Sequence, residues 1–110
     1  MSVNSARGEI EAALDGRKYR LCLTLGALAE LETAFGAASL AELLARFNGE
    51  RLSATDMIRI LGAGLRAGGT AISDAEVAAM QAEGGAAGFA RIVARLLTAS
   101  FGNGECAANP

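Results

Sequence analysis

The chain has 110 residues; 52% are hydrophobic, yet it has one Tyr, four Phe and no Trp, and 10 basic against 12 acidic side chains leave a net charge of −2. One domain of ordinary size fits that length, with a core built mainly from Leu, Ile, Val and Ala, a composition that favours helix. The scattered basic residues argue against a nucleic-acid or membrane-surface partner, and the lack of His removes His-based metal and general-base chemistry.

Residues 1–8, MSVNSARG, lack the apolar run of a signal peptide and read as a flexible lead-in. No stretch approaches the roughly 18–20 apolar residues that span a bilayer. Cys22 and Cys106 lie far apart, one in an expected strand and one in the tail. Free thiols in a reducing cytoplasm are therefore expected.

From Glu9 the pattern alternates with period two, placing Ile10, Ala12 and Leu14 on one face. Asp15-Gly16 is the signature of a two-residue type I′ hairpin turn. That turn sets the pairing: Leu14 opposes Arg17, Ala12 opposes Tyr19 and Ile10 opposes Leu21 on the apolar face. On the other face Ala13 meets Lys18, Glu11 meets Arg20 and Glu9 meets Cys22, so Cys22 is expected on the polar side.

Thr24 is positioned to cap a first helix with Leu25, Leu28, Leu31 and Phe35 along one stripe, closed by Gly36. Glu30 and Glu32 fall off that stripe and read as solvated carboxylates, since no partner group accompanies them. Three later helix starts share a serine followed three residues on by an acid: Ser39 with Glu42, Ser53 with Asp56 and Ser73 with Glu76. The boxes headed by Ser39 and Ser73 are expected to be complete, and the shorter Asp56 gives a weaker one. Leu52 with Met57 and Ile72 with Val77 form hydrophobic staples.

Helix two, about 40–48, carries Leu40, Leu43, Leu44 and Phe47 at buried-stripe spacing. Helix three, about 54–67, carries Met57, Ile58, Ile60, Leu61 and Leu65, and its Gly62 and Gly64 predict close approach by a neighbouring backbone. Helix four, about 74–82, offers Val77 and Met80. Gly84–Gly88 reads as a flexible or tightly turned joint. Helix five, about 86–101, shows Phe89, Ile92, Val93, Leu96, Leu97 and Phe101. This broadest apolar face is expected to be the central core helix on which the hairpin docks. Residues 103–110 read as a disordered tail. The predicted architecture is α+β and mostly helical, an N-terminal β-hairpin followed by about five short helices in one domain over 9–102.

No catalytic constellation emerges, so the chain is not expected to be an enzyme and no cofactor is implied. The run from Gly62 to Ala67 imitates a dinucleotide fingerprint but lies late in a helix instead of after a strand, so packing is its better reading. Arg91 and Arg95, one turn apart, read as a solvated face that an anion could also meet. Helices two and three offer only Arg59 and Arg66 for a DNA-reading helix, which disfavours that function.

The segments YRLCLTLGALAELETAFG, ILGAGLRAGG and EGGAAGFARIVARLL, at residues 19–36, 60–69 and 83–97, carry a resemblance over about residues 8–102. In matching order and spacing, the chain resembles the small tail proteins of gene transfer agents and related siphophage-type prophages. That family is assigned as a tail assembly chaperone and has also carried the label of phage tail tube protein. The resemblance implies a non-enzymatic protein that covers the helical tape-measure protein during tail morphogenesis. Its implied partners are the tape-measure protein and the tail tube protein, with a homo-oligomer left open. Under that reading the helix one and two stripes, Leu28, Leu31, Phe35, Leu40, Leu44 and Phe47, are the candidate partner-binding residues, with the joint at Gly84–Gly88 beside them. The alternative is a structural tail tube subunit, which the single legible hairpin disfavours.

Overall fold

The computed structural model describes residues 8–49 and 52–102; the expected N-terminal lead-in up to residue 7, the tail and Cys106 lie outside them. Strands β1 (Glu9–Leu14) and β2 (Arg17–Cys22) form an antiparallel hairpin with the predicted register at all six pairs. Asp15 and Gly16 have φ of 54° and 75°, the positive pair that a type I′ turn demands. Ile10, Ala12, Leu14 and Leu21 face the core, so the period-two pattern and the turn agree. Cys22 departs from expectation: it keeps its place opposite Glu9, yet it is buried. Both faces of β2 are buried over its last two residues, where the strand gives way to α1.

Helix α1 (Leu25–Phe35) starts at Thr24, whose side chain accepts from the Ala27 amide at 3.1 Å. It ends in a Schellman turn: Gly36, at φ 67°, donates to Thr33 and Ala37 donates to Glu32. Leu25 is 75% exposed and not part of the buried stripe, which runs instead through Ala27 and Leu31. At 3.6 residues per turn, Leu25 sits roughly 120° around the helix from Leu31.

Helices α2 (Leu40–Gly49), α3 (Ala54–Ala67), α4 (Asp74–Ala78) and α5 (Gly85–Leu97) follow, then a π-helical turn (Thr98–Gly102). Ser53 and Ser73 head complete capping boxes. At Ser39 the hydroxyl accepts from Glu42, but the longer Glu42 carboxylate reaches back to the Ala38 amide at 2.8 Å. The Ser73 box is thus complete as expected, whereas the shorter Asp56 closes its box and Glu42 does not.

Helix α4 stops at Ala78, four residues before its expected end. The backbone beyond it is held by the hairpin turn: Asp15 donates its amide to the Gln81 carbonyl at 2.8 Å, while its carboxylate accepts from the Gln81 amide at 2.8 Å. Leu14 and Ala82 form a single antiparallel bridge beside them. Gly84 and Gly85, at φ 91° and 63°, then turn the chain tightly into α5.

The centre of the fold is α3, not α5. It packs against α1, β2, α4 and α5, and the run from Ile60 to Leu65 is buried on every side. Small residues make this possible. A Cβ on Gly64 would stand 2.8 Å from Leu96 Cδ2 and 3.5 Å from the Leu21 side chain, and one on Gly68 would collide with the Arg20 carbonyl. The close neighbour is thus side chain at Gly64 and strand backbone at Gly68. Helix α5 contributes Ile92, Val93 and Leu96 to the core and lies along β1, where Arg95 donates to the Glu11 carbonyl at 2.9 Å. The Phe101 side chain lies outside those described.

Candidate functional site

The surface built by α1 and α2 holds the six residues suggested as partner contacts, and the fold divides them. Leu31 and Phe47 are buried in the core, Leu28 and Phe35 are half-buried against it, and Leu40 is exposed. The Leu44 side chain lies outside those described. Phe35 joins the two helices, its ring meeting Phe47 edge-on at 5.5 Å between centroids and 83° between planes. Two guanidinium groups lie near that ring, Arg46 at 5.0 Å and Arg59 at 6.0 Å from its centroid. Arg59 also donates to the Ala34 carbonyl at 2.6 Å, satisfying an acceptor in the last turn of α1. Beside this cluster a shallow notch of about 460 Å³ is lined by Phe35, Gly36, Ala37, Glu42, Ala45 and Arg46.

A second concavity, of about 170 Å³, opens between α3, the region of α4 and the start of α5. Its walls are apolar and include Met57, Ile58, Leu61, Val77, Met80 and Phe89. Leu61, Val77 and Met80 are buried, whereas Met57, Ile58 and Phe89 are only partly covered. Sequence periodicity made Met57 and Ile58 part of a wide helix face without separating its core half from its open half. The two concavities flank the first turns of α3: Asp56 lies 3.9 Å from Arg46 at the notch, and the next residue, Met57, lines the cavity.

The polar side chains mostly tie the fold together. Glu30 is not simply solvated; it accepts from Arg66, which also donates to Asp74 at 3.1 Å and to the Ile72 carbonyl at 2.9 Å. This single arginine binds α1, the end of α3 and the start of α4. Burial works against its charge, but hydrogen bonds and charges from Asp74 and Glu30 outweigh that, so its pKa lies above the ordinary arginine value. Arg59 and Arg66, the two arginines weighed for a DNA-reading helix, are both committed to α1. Arg91 and Arg95 are exposed. The Cys22 thiol is free and buried; desolvation, with the Glu9 charge, pushes its pKa up despite Arg20, which is the reverse of what a thiolate nucleophile needs. Among the described residues no three His, Cys, Asp or Glu side chains converge as a metal cluster, and no helix is long and apolar enough to cross a membrane.

No curated protein and no solved structure matches the chain. A family model described as "Phage tail tube protein, GTA-gp10" matches residues 7–103, spanning the hairpin and all the described helices. A mostly helical α+β domain accompanies that match, and the chain belongs to this phage-like, gene transfer agent tail protein family.

Proposed function

We propose that this chain is a non-enzymatic tail assembly chaperone, acting in the cytoplasm, that covers apolar helical stripes of the tape-measure protein until the tail tube forms around them. The observation that carries this reading is the apolar concavity between α3 and α5, walled by two methionines, Ile58 and Phe89. Methionine side chains adapt their shape to varied apolar partners, which suits a protein that must cover many similar stripes along one long chain. Exposed Leu25 and Leu40 extend the apolar surface on α1 and α2.

The competing role is a structural tail tube subunit, which would be expected to build its ring through a larger sheet. Among the described residues the sheet has two strands, and its margins face inward contacts: Arg95 on the Glu11 carbonyl, Ala82 on Leu14 and Gly68 on Arg20. That arrangement favours the chaperone reading. Co-expression with the cognate tape-measure protein tests it. The expected result is a soluble, co-purifying complex; a tape-measure protein that stays insoluble and unbound refutes it. Rings or tubes formed by the purified chain under the electron microscope would favour the tube subunit.

A further inference from the structure

We propose that residues 70–83 form a displaceable strap, seated in a groove of α3 and α5 from which a partner's amphipathic helix, with an acid one turn ahead of its apolar stripe, evicts them. The proposal rests on the chaperone reading for the identity of that partner and adds to it the pattern recognised and a means of release.

The strap is joined to the fold at few points. All of residues 70–83 are described, and of these Val77 and Met80 alone are buried. Its one helix, α4, has five residues, too few to hold its shape away from its seat. Left-handed glycines stand at both ends, Gly69 at φ 110° and Gly84 and Gly85 at 91° and 63°, where no Cβ resists a change of backbone direction. Two polar latches hold the segment down. At the first, Arg66 donates to the Ile72 carbonyl at 2.9 Å and to Asp74 at 3.1 Å. At the second, Asp15 and Gln81 exchange two hydrogen bonds of 2.8 Å beside the Leu14–Ala82 bridge. A segment anchored in this way opens at a lower free energy than the core it covers.

The seat shows what replaces the strap. A Cβ on Gly62 would collide with the Asp74 carboxylate, so its absence lets the acid lie directly against α3, within reach of Arg66. Three residues on, Val77 enters the apolar groove, and Met80 follows. The strap is thus a short copy of an acid-led apolar stripe, and it fits loosely. About 170 Å³ stays open between its Val77, Ala78 and Met80 and the facing Ile58, Leu61 and Phe89. A longer helix with Leu, Met or Phe at these places fills that space, while its acid takes the Arg66 donors that Asp74 gives up. The displaced strap stays tethered beside its seat and competes for re-entry, which lets the partner leave when another protein claims its stripe.

Hydrogen exchange on the isotope-labelled full chain tests the opening. The Val77, Met80 and Gln81 amides should exchange at least about tenfold faster than those of residues 61–65 in α3. Strap amides as slow as those of α3 overturn the proposal. Two synthetic amphipathic helices, identical except for Asp or Asn one turn before a Leu-Met stripe, test the displacement. The Asp peptide should bind about fivefold more tightly than the Asn peptide, and the Val77, Met80 and Gln81 signals should move to unstructured positions and lose protection as it binds. Asp15→Gly, which removes the acceptor of the Gln81 amide, should tighten the binding of both peptides about threefold by loosening the strap. Binding of neither peptide, equal binding of both, or binding with the strap amides still protected overturns the proposal, as does an Asp15→Gly protein that folds and binds no more tightly. Co-purification with the tape-measure protein separates the strap from the reading beneath it. If the parent chain does not bind that protein, the chaperone reading falls and the peptides alone decide the strap. If it binds while the strap amides stay protected, the strap is refuted and the chaperone reading stands.

Discussion

Replacing Gly68 by Ala sets two physical effects in opposition, and the structure decides their sign. Gly68 closes α3 at φ −82° and ψ −2°, a conformation open to any residue, so backbone strain plays no part. On propensity alone, alanine at a helix end should be favourable by at most about 1 kcal/mol. The added Cβ, however, would collide with the Arg20 carbonyl oxygen and stand 2.7 Å from its carbon and 3.2 Å from the Gly64 oxygen. These are backbone atoms of a paired strand and of the helix itself, so no side chain can swing aside. Relief requires α3 and β2 to separate, at an overpacking cost of about 1–3 kcal/mol. The net expectation is a loss of about 1–2 kcal/mol, read by urea denaturation as a midpoint lowered by roughly 0.5–1 M, or by heating as a Tm lowered by roughly 4–8 °C. Gly64→Ala serves as the comparison, because its closest conflict is the flexible end of Leu96 and should cost less. A Gly68→Ala protein as stable as the parent, or more stable, would refute the close packing of α3 on the hairpin.

Asp15→Ala should destabilise by about 1–2 kcal/mol, because alanine resists the left-handed backbone and the Gln81 amide loses its acceptor; Asp15→Gly should recover the conformational part, and denaturant melts distinguish the two. Arg66→Ala should cost about 1–2 kcal/mol by the same melts, discounted for the partial exposure of Arg66 and its acids, and Arg66→Lys should restore only part because lysine cannot reach three acceptors as a fork. Leu65→Ala, at a fully buried position on α3, should cost about 2–5 kcal/mol. Cys22 predicts a pH dependence in a Cys106→Ser background. Its native pKa lies above the ordinary value of 9.0, so as pH rises through 9.0 the unfolded chain gives up the proton that the native chain keeps. Stability contributed by the protonated thiol is therefore complete below that value and falls above it. Melts from pH 8 to 10 should show a steeper decline than in the same background carrying Cys22→Ala; equal slopes refute it.

The hairpin was legible residue by residue because a two-residue turn and a period of two leave one register. Helix starts were legible because a serine oxygen and an acid three residues later act locally. What went unread depends on which surfaces meet. Counting large apolar side chains pointed to α5 as the centre, whereas Gly62, Ala63 and Gly64 let α3 be enclosed on all sides. Glu30 looked unpartnered because Arg66 is 36 residues away. The end of α4 is set by the hairpin turn, a competition for backbone hydrogen bonds that helix periodicity does not register. At the candidate site, an apolar stripe in sequence does not separate Leu31, spent in the core, from Leu40 at the surface. The Arg46–Phe35 stack joins two helices and has no local signature.

The contacts of β1 with α5 and the π-helical turn also govern when the domain can form during synthesis. Gly8 is buried against Ala99 and Ser100, and the carbonyl of Glu11 waits for an arginine 84 residues later. The hairpin precedes its partners on the ribosome; α3 covers β2 once it has followed, but β1 waits for α5 and the turn beyond it, a delay on the order of 5–15 s at ordinary translation rates. A protein read here as a guardian of exposed apolar helices thus passes through its own interval of exposure, and its yield in the cell should respond to anything that stalls translation before α5.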